Sequence, residues 1–219
     1  MRKTKELIVE TALRLFSQKG FEAVSVRDIS GELELTAPAL YVHFKSKQDI
    51  LDEILRRMEA NDASISIGDG VPQEPYESNP ASYRNVNFDN LVKFTLDMFR
   101  YWTEDAFASQ FRHLLIIEQY RDKRFQQLFQ QYLGTGVLQY LEDIMRENAT
   151  GDPKFLAESF FSLFHLFLNQ YDAMPTRKEK SLLQKHLEWH LQHFVTTLQR
   201  LHCGEGVQHG HDCAEAEGN

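Results

Sequence analysis

Cysteine is almost absent. The 219 residues hold two, Cys203 and Cys213, both in the last stretch of chain, so no disulfide framework ties the core. Long apolar runs are missing as well. The most apolar stretch, around Phe160 to Leu168, is interrupted by Ser162 and His165 and falls far short of the roughly 20 residues needed to cross a bilayer. The opening MRKTKELIVE lacks the apolar block and small-residue cleavage site of a signal peptide, and a soluble cytoplasmic protein is expected. There is no excess of positive charge: 24 basic residues face 32 acidic ones, a formal charge of -8. Bulk attraction to nucleic acid or to an anionic membrane is thereby excluded, and any such binding is local. Strand-like alternation is scarce, and no repeat of solenoid period is visible. The parts of a catalytic centre are also missing: no nucleophile with its base, no phosphate-cradling glycine loop, no paired carboxylates. An enzyme is not expected.

What is present is helical spacing, in a chain whose 42% hydrophobic content is enough for a core. The expectation is an all-α fold in two parts: a small N-terminal domain over 1–60 and a larger helical domain over 88–201. Between them, 61–87 carries Pro72, Pro75, Pro80, Gly68 and Gly70 and reads as a long loop or hinge. Residues 202–219 read as a flexible tail. The first sixty residues hold ten charges of each sign, so the whole deficit of eight falls after them.

In the N-terminal part, Leu7, Ile8, Thr11, Ala12, Leu15 and Phe16 form an amphipathic stripe. Gly20 fits a left-handed helix stop, with Phe21 folding back on Phe16. Ser25 and Asp28 have the spacing of a capping box and open a second helix carrying Ile29 and Leu33 inward. Thr36 caps a third, very short helix from Ala37 to about Val42, anchored by Leu40 and Phe44. Ser46 to Asp49 repeats the capping pattern and opens a fourth helix with Ile50, Leu51, Ile54, Leu55 and Met58 on one side. Two short helices joined by a tight turn have the form of a helix-turn-helix, whose second helix enters the DNA major groove. Thr36, Tyr41, His43, Lys45 and Lys47 cluster there as phosphate-type donors. The same spacing also fits an ordinary helical packing unit with a solvated polar face.

The run FSQKGFEAVSVRDISGELELTAPALYVHFKSKQDILDEIL resembles the TetR family of bacterial transcription regulators over its DNA-binding domain, through the F-x₃-GF entry, VRDI, ALY-x-HF and KSK-x-DIL. The resemblance covers 1 to about 58. It implies an N-terminal three-helix helix-turn-helix domain joined to a C-terminal helical bundle for ligand binding and dimerisation. It implies a homodimeric repressor that binds a palindromic operator in double-stranded DNA and is released by a small-molecule effector, with no membrane partner and no required cofactor. In that family the residues matching Thr36, Tyr41, His43 and Lys45 touch backbone phosphate, those matching Ser25 and Arg27 help hold the DNA, and those matching Ala37 and Pro38 lie nearest the bases. Two departures stand out. Glu34 occupies the turn position where glycine is usual, at about 1 kcal/mol if the left-handed conformation is kept. Ala37-Pro38-Ala39 opens the third helix without a donor, which fits apolar contact with thymine methyl groups better than bidentate recognition of guanine.

In the C-terminal part Phe88, Leu91, Val92, Thr95, Met98, Phe99 and Trp102 form one stripe, with Phe94 and Tyr101 outside it. Phe107, Phe111, Leu114 and Leu115 give another apolar face. A long segment from about Asp122 to Asn148 follows, kinked at Gly134 and Gly136. Asp152-Pro153 restarts a helix in which Leu156, Phe160, Leu163, Phe164, Phe167 and Tyr171 face one way. The last helix carries Leu187, Leu191, Phe194, Leu198 and Leu201 at coiled-coil-like spacing. That seam fits either an intramolecular core or half of a four-helix dimer interface, and the resemblance assigns Leu163, Phe167, Leu187, Leu191, Phe194 and Leu198 to a dimer. The many aromatic side chains fill a core, and together they can also line an effector site for a small, partly apolar or aromatic ligand. Phe94, Met98, Trp102, Phe111 and Phe164 are the candidates, with His113, Thr95, His165 and Asn169 as polar groups. In the tail, His202, Cys203, His209, His211 and Cys213 are chemically adequate for Zn²⁺ or another transition metal in no standard motif. A solvated tail and a metal-responsive regulator, or metal-binding protein, are both open there. His186 and His190 share one helix face, which reads as buried or interfacial histidine.

Overall fold

The computed structural model describes residues 2–65, 71–72 and 74–204, with side chains described for these except 2, 62–65 and 201–204. Among them every regular element is helical: α1 (Arg2–Lys19), α2 (Val26–Glu32), α3 (Ala37–Tyr41), α4 (Lys47–Ile65), a 3-10 turn (Pro80–Tyr83), α5 (Phe88–Glu104), α6 (Ala106–Glu118), α7 (Lys123–Leu133), α8 (Thr135–Asn148), α9 (Pro153–Ala173) and α10 (Arg177–Gly204). The chain forms two compact units. One is Met1–Asp69 with Asp97–Val137; the other is Gly70–Leu96 with Leu138–Asn219. The compact units therefore differ from the expected split into 1–60 and 88–201, because α6 and α7 group with the N-terminal helices.

In the first unit α1 packs on α4 and on α6. Two covered sides explain why Val9 and Leu13 are buried beside Ile8, Ala12, Leu15 and Phe16, while Leu7, expected in the stripe, is exposed. The stop of α1 is as read. Gly20 takes φ +88, its N–H bonds the Phe16 carbonyl at 2.9 Å, and the Phe21 ring meets Phe16 edge-on at 5.0 Å. Ile50, Leu51, Ile54 and Met58 of α4 are all buried. The expected single segment from 122 to 148 is two helices, broken at Gly134 (φ -135, ψ -125). A Cβ at Gly134 would lie 2.9 Å from the Gln130 Cα, and one at Gly136 would lie 2.6 Å from the Gln131 carbonyl oxygen, so this reversal requires glycine.

In the second unit α9 packs on α10. Asp152 caps α9 by accepting from the Phe155 N–H at 2.9 Å, ahead of Pro153 in the first turn. Of the stretch read as a loop or hinge, the described residues after α4 hold turns and the short 3-10 element but no α-helix. Residues 61–65 extend α4, and 74–87 is strapped to α8. The Tyr76 hydroxyl donates to Glu147 at 2.6 Å, Asn148 accepts the Val86 N–H at 2.9 Å and donates to the Tyr83 carbonyl at 2.6 Å. The Tyr140 hydroxyl reaches back to the Pro72 carbonyl at 3.1 Å. Tyr76, Tyr83 and Tyr140 meet edge to face, with centroids 5.2 and 5.9 Å apart along the series. Burial pushes the Tyr83 phenol up to about 12 and raises Tyr140 as well, so both stay protonated donors.

Candidate nucleic-acid interface

The α2–turn–α3 unit is built by local capping. Ser25 accepts the Asp28 N–H at 3.2 Å while its own N–H donates to the Asp28 carboxylate at 2.7 Å, closing the capping box. Those bonds from Ser25 hold Asp28 below the usual carboxylate range. Ile29 fixes α2 to the core. The Leu35 N–H bonds the Ser30 carbonyl at 2.8 Å across the turn. Glu34 sits there at φ +55, so the left-handed position is kept with a side chain that disfavours it. Thr36 then caps α3 by accepting the Ala39 N–H at 3.3 Å, with Pro38 in the first turn where no N–H is needed. Leu40 and Phe44 are the buried anchors.

Around this frame Ser25, Arg27, Thr36, Pro38, Tyr41 and Lys45 are exposed, while Ala37 and His43 are half-buried. The structure thus brings the expected DNA-contact residues onto one small α2–α3–α4 segment. Lys47, read among the phosphate donors, has a partner within the chain. Its ammonium donates to the Phe21 carbonyl at 2.7 Å and lies 4.3 Å from the centre of the Phe21 ring. Carbonyl and ring face together give this cation an intramolecular partner. Acidic groups also lie close by: Glu32 pairs with Arg14 at 2.6 Å, and Glu34 is exposed.

The same Phe21 carries a feature without a local sequence signal. Its N–H donates at 2.9 Å to the Glu118 carboxylate, a buried contact spanning 97 residues, and its ring lies 5.8 Å from that of Phe125 on α7. Glu118 is itself buried at the end of α6. The turn after α1 is therefore gripped by α6 through its N–H and by α4 through its carbonyl. Arg124 of α7 adds a 2.8 Å pair with Asp52 of α4 and thereby lowers the Asp52 carboxyl.

The effector candidates divide between the two units. Met98, Trp102 and Phe111 belong to the first, Phe94 and Phe164 to the second. Trp102 and Phe111 are buried and both meet Tyr132 edge-on, at 6.2 and 5.4 Å. The buried Arg112 beside them donates to the Trp102 carbonyl at 3.0 Å, a cation within the aromatic cluster that periodicity did not single out. Phe164 is buried, stacked on Phe161 at 5.7 Å. Phe94 and Met98 are half-buried. Of the polar groups, the Thr95 hydroxyl donates to the Leu91 carbonyl at 2.8 Å and the Asn169 side-chain amide to the His165 carbonyl at 3.1 Å, the helix's own backbone in each case.

The dimerisation candidates lie along the α9–α10 pair. Phe167, Leu187, Leu191 and Leu198 are buried within the single chain, and Phe194 meets Phe160 at 5.6 Å, so the seam joins α10 to α9. Val195, not singled out, is buried with them, while Leu163 and Phe194 are half-buried. The apolar groups left exposed on the pair are Phe155, Leu166, Leu182 and Trp189. His186 and His190 are exposed rather than buried, with His190 5.7 Å from Phe167 and His193 stacked on Trp189 at 5.3 Å. His202, Cys203, His209, His211 and Cys213 lie outside the residues whose side chains are described. Among the described residues no group of three or more His, Cys, Asp or Glu is placed to hold a metal ion, and no described helix is long and apolar enough to cross a membrane.

Comparison with known proteins bears on this geometry. Residues 8–54 match the family model "Bacterial regulatory proteins, tetR family". The HTH-type transcriptional regulator YuxN of Bacillus subtilis is 42% identical over 55 residues, 25% of this chain and 19% of that protein. The first curated relatives are matched over only 18 to 31% of their length. Among solved structures, a TerR/AcrR-family transcriptional regulator from Aquifex aeolicus VF5 has a TM-score of 0.58 at 20% identity, over 86% of this chain and 98% of its own. A SmeT–triclosan complex has a TM-score of 0.55 at 18% identity, over 85% and 90%. The TetR resemblance read from the N-terminal motifs thus holds for that segment, and 85–86% of the chain shares the fold of these two structures.

Proposed function

We propose that the chain is a homodimeric repressor that binds a palindromic operator and leaves it when a small, partly apolar or aromatic effector binds. The observation that carries the DNA reading is the capped α2–turn–α3 unit, with Arg27, Thr36, Tyr41 and Lys45 exposed around a short helix anchored by Leu40 and Phe44. Phosphate donors on both sides of a helix fix its register on a duplex, and the helix between them reads bases. A five-residue helix offers few base contacts, so two copies related by a dyad are needed, reading half-sites about 34 Å apart. Exposed Leu166, Leu182 and Trp189 on α9 and α10 supply the apolar surface for that dimer, with the buried α9–α10 seam behind it.

Effector response requires a ligand that binds one head position better than another. The SmeT–triclosan complex supports an aromatic ligand class for this fold, and the Trp102–Phe111–Tyr132 cluster is chemically suited to it. The route to the head stays inside one unit: α6 carries both Phe111 and Glu118, and Glu118 grips the turn after α1. A shift of α6 would move that turn and, through Lys47, the start of α4. The test is selection of bound duplexes from a random pool by the purified chain, then affinity against salt. An enriched palindrome whose binding weakens steeply with salt supports the proposal, and no enriched sequence at low salt overturns it. Repeating the selection with Zn²⁺ tests the metal-responsive reading of the tail, which rests on composition alone.

A further inference from the structure

We infer that α3 reads its operator through thymine methyl groups and that Val42, at its C-terminal end, is the residue that specifies them; this rests on the DNA reading above. Successive helical residues are about 100° apart. Leu40 and Phe44 therefore share the inward side of α3 and its extension, and both are buried. By the same spacing Val42 and Pro38 point away from that side, within about 40° of each other, and Tyr41 lies to one flank. Burial follows the same division. Tyr41 is 50% and Val42 72% exposed, and Pro38 is exposed, while Ala37, Ala39 and His43 are only half-exposed. The sequence alone pointed to Ala37-Pro38-Ala39; the outward face is instead Pro38, Tyr41 and Val42.

The chemistry of that face is narrow. Pro38 and Val42 have no side-chain hydrogen-bonding group, and Tyr41 has a single hydroxyl at its tip. Bidentate recognition of guanine needs Arg or Lys, and that of adenine needs Asn or Gln; α3, APALY, contains none of them. The apolar group that the four bases offer in the major groove is the thymine C5-methyl. Val42 suits it physically. It is β-branched, so in the αR conformation it adopts (φ -65, ψ -26) its rotamer is already restricted and its methyl groups are presented with little entropy to lose. A single exposed valine is ordinary on a protein surface. This one stands on the outward side of the helix flanked by the exposed Thr36 and Lys45.

The experiment uses the full chain and the operator recovered by selection, with each half-site thymine replaced in turn by deoxyuridine. That change keeps every hydrogen-bonding group and removes one methyl. At one or two positions per half-site the Kd, read by fluorescence anisotropy, rises about fourfold per methyl lost from an apolar contact. Val42→Ala binds thymine and uracil duplexes there with equal affinity, while its thermal melt is unchanged because the side chain is exposed. Cytosine at the same step binds like uracil, and 5-methylcytosine regains the loss. The inference is overturned if every uracil duplex binds like the parent, if Val42→Ala keeps the full thymine preference, or if 7-deazaguanine costs affinity where uracil does not. Failure to enrich any sequence overturns the DNA reading as well; enrichment without methyl dependence overturns this inference alone.

Discussion

The grip of α6 on the turn after α1 predicts a specific failure of additivity between Gly20 and Glu118. A methyl group at Gly20 faces two penalties. The residue sits at φ +88, where an L side chain costs about 1–2 kcal/mol. The added Cβ would also collide with the Glu118 carboxylate and lie 3.0 Å from an Arg121 guanidinium nitrogen. Displacing the carboxylate strips the Phe21 N–H of its buried partner, at about 1–3 kcal/mol. Gly20→Ala should therefore lose about 2–5 kcal/mol, and Glu118→Ala alone should lose only the hydrogen-bond part. In the double variant that part is lost once. Adding Glu118→Ala to Gly20→Ala should cost nothing further within the roughly 0.5 kcal/mol expected of independent sites. Urea unfolding of the four proteins, at one protein concentration because association adds to apparent stability, gives the cycle. Two single losses that simply sum would show that the methyl leaves the Glu118–Phe21 bond intact, and a Glu118→Ala loss near zero would show that the contact holds nothing, taking the proposed route from α6 to the head with it.

Other outcomes follow from separate features. Glu34→Gly removes the φ +55 strain and a negative charge, so it should gain about 1 kcal/mol in urea unfolding and tighten DNA binding; Glu34→Gln should show only the second effect. Trp189→Asp should shift sedimentation toward monomer and lower the apparent melting temperature only by the stability that association adds, whereas Leu187→Ala, buried between α10 and α9, should cost about 2–5 kcal/mol at any protein concentration. Glu53 is drawn from 4.5 down to about 2 by its bond to Arg56 and then by Lys5. Its contribution to stability is complete above pH 4.5 and is lost as pH falls toward 2. Glu53→Gln should flatten the stability curve over that interval, and an unchanged curve would deny the pairing.

Local signals were legible because their causes are local. The Gly20 stop, the Ser25–Asp28 box, the Thr36 cap and the Asp152-Pro153 start each lie within about one helical turn of chain, and each is found where the residues placed it. Misreadings arose where a second element decides burial. Val9 and Leu13 are buried because α1 has neighbours on two sides, which a single stripe does not encode. The leucine seam of α10 was readable as apolar, but whether it met α9 or another copy depended on tertiary packing. The bond of Lys47 to the Phe21 carbonyl was not legible because that partner lies 26 residues back. Glu118 had no signal at all, since a lone carboxylate near a helix end is common and its partner is a backbone N–H 97 residues away. Pro and Gly marked a loop or hinge over 61–87, with no sign in them that Tyr76 would tie 74–87 to α8.

The division of the chain into interleaved units changes what counts as a portable part. A segment cut after residue 60 contains every residue of the α2–turn–α3 unit, yet it would lose Glu118 from Phe21, Arg124 from Asp52 and the Phe125 ring from Phe21. The transplantable head is a composite, α1–α4 together with the stretch from Asp97 to Val137. Chimaeras that exchange heads between proteins of this fold at the end of α4 would sever that composite, and those that carry α6 and α7 across with the head would keep it whole.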